Sequence, residues 1–258
     1  MAKERGKFEE TAIIIRQEEI ADNIYSMWLR TEQIAVHTKP GQFISIYCRD
    51  GSMLLPRPIS VCEVDKSDGA VRVVYRVAGK GTAEFAKFRT GKHLKIVGPL
   101  GNGFPLLDKK AFLIGGGIGI PPLLELAKKL DCEKQIILGF KDELFLLEEF
   151  CSRGEVYLAT EDGSAGTRGN VLDAIRDNHL EAEVVYACGP LPMLRALKSY
   201  AAEKDMICYL SMEERMACGI GACLACVCKS TGIDPHTNVK NKRVCKEGPV
   251  FLAEEVDL

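Results

Sequence analysis

The chain has 258 residues, of which 47% are hydrophobic and 27% charged, and its formal net charge is -2. These values are ordinary for a soluble globular protein of about two domains, and the near-neutral charge argues against nucleic acid as a partner. No run approaches the roughly 20 apolar residues of a membrane span, and the first residues hold no apolar signal region. We therefore expect a cytoplasmic protein without a membrane span.

Residues 1–105 predict an antiparallel β-barrel. Short runs of β-branched or alternating residues follow one another closely, and turn residues separate them. Several short strands at such spacing are typical of a small barrel. The strand-like runs include 11–16, 42–47, 59–64 and 71–77, and a short helix is expected at about 83–88.

From about residue 110 the pattern changes to alternating strands and helices, which predicts an α/β domain with a parallel sheet and helices on both faces. The strands are expected at 111–114, 135–140, 156–160, 184–187 and 207–211. The helices are expected at 121–130, near 143–150, near 171–176 and at 191–203.

Glycine-bearing loops follow three of these strands, at 115–119, 160–169 and 188–190. Open α/β sheets bind ligands at the carboxyl ends of their strands, so these loops favour a nucleotide. The first loop departs from the G-x-G-x-x-G pattern because its sixth position is Ile120, and a simple tight turn stays open. Cys188 has the alternative of a buried strand-end cysteine. The acidic pair Asp142-Glu143 favours NAD over NADP, or caps the next helix.

In the barrel, the stretch Arg57-Pro-Ile-Ser60 combines a guanidinium, which suits a diphosphate, with a hydroxyl that can hydrogen-bond a flavin ring or a phosphate. An Arg-Pro pair before a strand is more often structural. Tyr75-Arg76 and Gly81-Thr82 add weight to the binding interpretation, because the latter pair opens a helix. Tyr75 could equally be an ordinary strand aromatic.

Eleven cysteines in an unexported chain favour metal binding or catalysis over disulfides. Cys218, Cys223 and Cys226 have the spacing C-x4-C-x2-C, and Cys245 follows; this is the plant-type [2Fe–2S] spacing. Small residues between them allow backbone N–H groups to approach the cluster sulfurs. Zinc is the alternative, but the second C-x2-C pair of a zinc knuckle is missing. Cys228 competes as a ligand, although a buried thiol is the favoured interpretation.

The motifs 57–60, 79–82, 98–101, 115–119 and 188–190 occur in the order of the ferredoxin–NADP reductase superfamily. The tail at 211–228 closely resembles the electron-transfer subunit of bacterial type B, NAD-linked dihydroorotate dehydrogenase. The resemblance covers nearly the whole chain. It implies an FAD-binding barrel at 1–105, an NAD-binding α/β domain at 106–211 and a small C-terminal [2Fe–2S] segment at 212–258.

By position, the resemblance implies that Cys218, Cys223, Cys226 and Cys245 hold the [2Fe–2S] cluster. No residue is assigned individually to NAD, because the nicotinamide domain of this family is divergent. The residues that would hold FAD are Arg57, Pro58, Ile59, Ser60, Val74, Tyr75, Arg76, Gly81 and Thr82.

The resemblance also implies a partner, an FMN-bearing catalytic subunit that oxidises dihydroorotate to orotate in pyrimidine synthesis, with two copies of each chain in the complex. Electrons would pass from FMN to the cluster, then to FAD and to NAD+. The alternative function is an NAD(P)H–ferredoxin or sulfide reductase subunit. Some such relatives replace one cluster cysteine with aspartate, whereas this chain has cysteine at all four positions. A zinc-binding assembly subunit is the non-catalytic alternative.

Overall fold

The computed structural model describes residues 6–141, 143–234 and 238–258. The first part is a closed barrel in which neighbouring strands are antiparallel, in the order β1-β2-β5-β4-β3-β6. This confirms the predicted N-terminal barrel. Its strands are β1 (Phe8–Ala21), β2 (Ile24–Arg30), β3 (Phe43–Ile46), β4 (Arg57–Asp65), β5 (Ala70–Arg76) and β6 (His93–Leu100).

The interior of the barrel is filled by one face of each strand, since side chains alternate across a strand. On β5, Val71, Val73 and Tyr75 belong to the barrel core, whereas Val74 packs into the core of the next domain. The helices of this part are α1 (Ile34–His37) and α2 (Lys80–Ala86). Helix α2 begins three residues before the predicted position, and its Phe85 is fully buried in the barrel.

The second part is a seven-stranded sheet in the order β10-β9-β8-β7-β11-β12-β15. Its strands are parallel except for the antiparallel edge strand β15, so the predicted parallel sheet is confirmed. The strands are β7 (Ala111–Gly116), β8 (Lys134–Phe140), β9 (Glu155–Thr160), β10 (Thr167–Arg168), β11 (Val184–Cys188), β12 (Ile207–Ser211) and β15 (Val250–Leu252).

In the described part of this domain, the α-helices between the strands are α3 (Pro122–Lys129), α4 (Leu147–Cys151), α5 (Val171–Asp177) and α6 (Leu191–Glu203). The prediction of a helix from residue 143 was wrong at its start. Leu146, immediately before α4, has a positive φ of 60°, which interrupts a right-handed helix. Glu143 instead reaches the barrel, where its carboxylate accepts a hydrogen bond from the Asp22 N–H at 2.6 Å.

The C-terminal segment is not structurally separate from the sheet. It contains the hairpin of β13 (Val227–Lys229) and β14 (Asn241–Arg243), and its last strand β15 pairs with β12. One core cluster accordingly mixes Cys226 and Cys245 with residues of α5 and α6. Within the described residues, no helix is both long and apolar enough to cross a bilayer.

Candidate functional site

Arg57 and Gly81 meet where β4 begins and α2 makes its first turn. A Cβ added at Gly81 would lie only 2.8 Å from Cζ of Arg57, so the guanidinium rests on bare backbone. Its Nη1 also donates to the carbonyl of Leu55 at 2.5 Å. A fixed cation beside the first turn of a helix suits a diphosphate group. These two predicted residues are therefore brought together.

Thr82 acts locally in the same turn. Its Oγ1 accepts hydrogen bonds from the backbone N–H groups of Ala78 at 2.9 Å and Gly79 at 3.2 Å. These bonds fix the entry of the chain into α2, since Gly79 has no side chain with which to cap the helix. Thr82 thus shapes the turn on which Arg57 rests.

The remaining predicted flavin residues divide between the two faces of β4 and β5. Ile59 and Tyr75 pack into the barrel core, and Val74 packs against the α/β domain. By alternation Pro58, Ser60 and Arg76 share the outer face with Val74. This outer face is the part of the barrel that is available to the flat ring of a flavin.

Tyr75 is 2% exposed and stacks on Tyr25 at a centroid distance of 5.9 Å. Its hydroxyl is buried with no hydrogen-bond partner among the described residues, and burial raises the pKa of this hydroxyl. The side chain behaves as a strand aromatic of the barrel, and only the backbone of Tyr75 is placed to meet a ligand on the outer face. The assignment of Tyr75 to FAD stays a prediction.

A cleft of about 190 Å³ separates the barrel from the carboxyl edge of the sheet. Arg76 lines it from the barrel, and Gly117 lines it from the first glycine loop. The other lining residues are Asp22, Ile24, Phe140, Lys141, Glu143 and Phe145. The predicted flavin face and the predicted nucleotide loop therefore border one space.

Two of the three glycine loops touch each other at this edge. A Cβ at Gly119 would lie 2.6 Å from the carbonyl carbon of Cys188, so only glycine allows this approach. Burial raises the pKa of the Cys188 thiol to about 12, although a hydrogen bond with the side chain of Ser211 lowers this pKa in part. The loop at 160–169 follows β9, two strands away from β7.

Asp142 lies outside the described residues, and the role of the acidic pair in NAD preference stays a prediction.

The four cysteines of the C-terminal segment form two pairs. Cys218 Sγ accepts hydrogen bonds from the N–H groups of Ala222 at 3.3 Å and Cys223 at 3.4 Å. Cys226 Sγ accepts the N–H of Cys245 at 3.4 Å. Two thiolate pairs suit a [2Fe–2S] cluster, in which each iron takes two protein ligands. Within residues 6–141, 143–234 and 238–258, no three Cys, His, Asp or Glu side chains converge as ligands of a single ion.

The electrostatics of the pairs differ. Burial acts to raise the pKa of Cys218, but backbone N–H groups, beginning with that of Ile220, lower it overall. Burial raises the pKa of Cys245, and the neighbouring Cys226 raises it further. The loop between Cys218 and Cys223 thus already presents N–H groups to sulfur, as a cluster-binding loop must. Gly219 and Gly221 make this possible with φ values of 67° and 91°.

The barrel anchors both halves of this cysteine site. Gly219 packs on β3 and β6, where an added Cβ would lie 3.0 Å from Ser45 Oγ. Asn102, just after β6, donates from Nδ2 to the carbonyl of Glu247 at 2.7 Å, two residues after Cys245. Sequence reasoning missed Asn102, and no spacing in the chain marks it. Its only local signal is that it follows the glycine stretch 98–101.

Cys228 lies on β13 and is 8% exposed. Burial raises its pKa, and it packs in the same apolar cluster as Cys226 and Cys245. This environment fits the buried thiol that the sequence favoured.

The barrel with a guanidinium at a helix turn, the sheet with glycine loops at one edge and the paired cysteines define a class: flavin-dependent oxidoreductases that carry an iron–sulfur cluster. Residues 11–104 match the family described as "Oxidoreductase FAD-binding domain". Residues 213–257 match "Iron-sulfur cluster binding domain of dihydroorotate dehydrogenase B".

Curated relatives match almost the full chain. One from Geobacillus sp. (strain WCH70), "Dihydroorotate dehydrogenase B (NAD(+)), electron transfer subunit", is 44% identical, covering 97% of this chain and 99% of that protein. A protein of the same name from Bacillus velezensis is 47% identical, covering 93% of this chain and 95% of that protein. The chain therefore belongs to the family of dihydroorotate dehydrogenase B electron transfer subunits.

Solved structures agree on the fold. A chain from the structure titled "Insights into flavin-based electron bifurcation via the NADH-dependent reduced ferredoxin-NADP oxidoreductase structure" has a TM-score of 0.86 and 28% identity, covering 96% of this chain and 90% of that one. "Ferredoxin reductase in carbazole 1,9a-dioxygenase" has a TM-score of 0.65 at 20% identity, covering 78% of this chain and 67% of that one. The second likeness shows the fold alone.

Proposed function

We propose that this chain is the electron-transfer subunit of an NAD-linked dihydroorotate dehydrogenase, and that it carries electrons from a catalytic subunit to NAD+ in pyrimidine synthesis. The observation that carries the proposal is the placement of two cysteine pairs on a segment that packs against both the barrel and the sheet. FAD, when bound, supplies the exchange between one-electron and two-electron transfer.

The chain's own residues would bind and orient these groups. Arg57 and the first turn of α2 would hold the diphosphate of FAD, and Pro58, Ser60, Val74 and Arg76 would border its ring. The glycine loops at 115–119 and 188–190 would admit NAD from the opposite wall of the cleft. Cys218, Cys223, Cys226 and Cys245 would hold the [2Fe–2S] cluster. We see no need for an acid–base residue in this scheme.

We propose that the partner is an FMN-bearing dihydroorotate dehydrogenase subunit, assembled with this chain as two copies of each. Cys223 is exposed, and the apolar side chains of Ile220 and Leu224 beside it are 48% and 47% exposed. Exposed apolar residues at a redox loop suit docking of a protein that delivers electrons there. Electrons would then enter at the cysteine loop and leave at the glycine loops.

A second function is favoured by one specific likeness. The solved structure that matches at a TM-score of 0.86 is titled as a ferredoxin–NADP oxidoreductase. A subunit of that kind would exchange electrons with ferredoxin rather than with an FMN subunit. The two functions differ in the partner and not in the chain's own sites.

Copurification from the native source tests the proposal. We expect this chain to elute with an FMN protein that has dihydroorotate activity, and the complex to hold one FAD, two irons and two acid-labile sulfides per copy of this chain. NADH added without oxygen should bleach the flavin absorbance and produce a rhombic electron-paramagnetic signal. Zinc without iron or sulfide would refute the cluster, and copurifying ferredoxin-dependent activity would favour the second function.

A further inference from the structure

A partly buried network of ion pairs joins the barrel to the sheet domain. At its centre Glu125, on α3, is 2% exposed. Its Oε2 accepts the backbone N–H of Val64, on β4 of the barrel, at 3.0 Å. Lys128 and Lys129 lie 3.7 and 3.6 Å from its carboxylate. A carboxylate withdrawn from water is held here by two cations and by a backbone donor of the other domain.

The network continues into the barrel through Glu63. Lys128 Nζ lies 2.8 Å from one oxygen of Glu63, and Arg72 Nη1 lies 3.3 Å from the other. Arg72 is 7% exposed, and its Nε donates a hydrogen bond to Ser26 Oγ at 2.9 Å. Its Nη1 lies 3.3 Å from the carboxylate of Glu149, which is on α4 of the sheet domain. Three of these contacts cross between the domains: the Val64–Glu125 hydrogen bond and the ion pairs Lys128–Glu63 and Arg72–Glu149. Glu125 and Arg72 are the most buried charged members, and removing a partner from a buried charge is costly.

The two residues of the Val64–Glu125 bond lie on elements that adjoin the proposed flavin and nucleotide sites. Strand β4 begins with Arg57 and carries Ser60, four residues before Val64. Helix α3 begins at Pro122, three residues after the glycine turn Gly117–Gly119 ends. The bond therefore ties the strand that borders the flavin to the helix that follows the nucleotide turn.

We infer that Glu125 is a positioning residue that sets the distance and angle between the nicotinamide loop and the flavin face. The inference rests on the proposed function, because it assigns Glu125 to the step between NAD and FAD. Hydride transfer needs reacting atoms in near-contact, and a displacement of about 1 Å costs on the order of 100-fold in rate. Glu125 is not among the residues that line the cleft, so its loss would act through the relative position of the two domains.

The test compares Glu125→Gln and Glu125→Ala with Glu203→Gln, a matched change on the exposed end of α6. Each protein is reconstituted with FAD and cluster, and flavin reduction by NADH is followed by stopped-flow absorbance. The Gln side chain still accepts the Val64 N–H, whereas Ala does not. We expect the limiting rate to fall roughly tenfold in Glu125→Gln and about 100-fold in Glu125→Ala, with the Kd for NADH within about twofold of the parent.

Two further readouts do not depend on turnover. The long-wavelength absorbance of the NADH–flavin complex should weaken in both Glu125 variants, and amide hydrogen exchange in β4 should accelerate most in Glu125→Ala. If Glu125→Ala does not retain flavin, the limiting rate of flavin reduction in Glu125→Gln is the result that tests the positioning role. If NADH reduces the flavin of the parent normally and the Glu125 variants keep the parental limiting rate, the positioning role alone is overturned. A parent whose flavin NADH cannot reduce would overturn the proposed function, and the inference with it.

Discussion

The change Gly81→Ala tests the flavin site without disturbing the fold. The new Cβ would lie 2.8 Å from Cζ of Arg57, whereas such atoms rest about 3.5–4.0 Å apart. Gly81 has no positive φ and lies in a helix, so alanine fits the backbone and would otherwise stabilise α2 by roughly 0.5–1 kcal/mol. The end of a flexible side chain must therefore move, and it is the guanidinium predicted to hold the FAD diphosphate.

The magnitude follows from the displacement. A shift of roughly 1 Å takes the guanidinium out of hydrogen-bonding distance of its anion. A hydrogen bond to a charged group contributes about 1.5–3 kcal/mol, which corresponds to about 10- to 150-fold in Kd. We expect the Kd for FAD to rise by that factor, while the melting temperature of the flavin-free chain stays level or rises slightly.

Flavin fluorescence quenching measures the Kd, and a double-mutant cycle with Arg57→Ala identifies the cause. If Gly81→Ala acts through Arg57, adding it to Arg57→Ala weakens binding no further. Gly232→Ala is the control, because an added Cβ there meets nothing within 4 Å. A parental Kd in Gly81→Ala, or strictly additive losses in the double variant, would refute the reasoning.

Three further predictions concern the cysteines and their anchor. Cys226→Ser should abolish the visible absorbance and electron-paramagnetic signal of the cluster, whereas Cys228→Ser should retain both; the reverse result would exchange their roles. Asn102→Ala removes a bond of about 1 kcal/mol that holds the loop after Cys245, so a chelator should bleach the cluster roughly fivefold faster, and an unchanged rate would contradict this anchoring. Burial raises the pKa of Cys208 to about 12, so its thiol stays protonated at pH 8; mass spectrometry should find iodoacetamide on exposed Cys151 well before Cys208, and equal labelling would contradict the placement of Cys208.

Several features of the site could be predicted because they are local. The spacing of Cys218, Cys223 and Cys226 reflects one loop around a cluster, and the glycines within it supply the positive φ that the turn needs. The alternation of strands and helices likewise predicts a parallel sheet without reference to distant residues. Alternation on β5 also favours an interior Tyr75, because Val71 and Val73 share its face while Arg72 and Arg76 lie on the opposite one.

The sequence by itself determined the fold class and the set of cofactors to expect, since those depend on periodicity, turn chemistry and ligand spacing over short stretches. Only the tertiary structure decided how the parts meet. The pairing of Cys226 with Cys245, the Asn102 anchor and the Val64–Glu125 bond join residues 19, 145 and 61 positions apart. Such contacts arise when separate apolar faces pack together, and no local pattern encodes which partners that packing brings into reach.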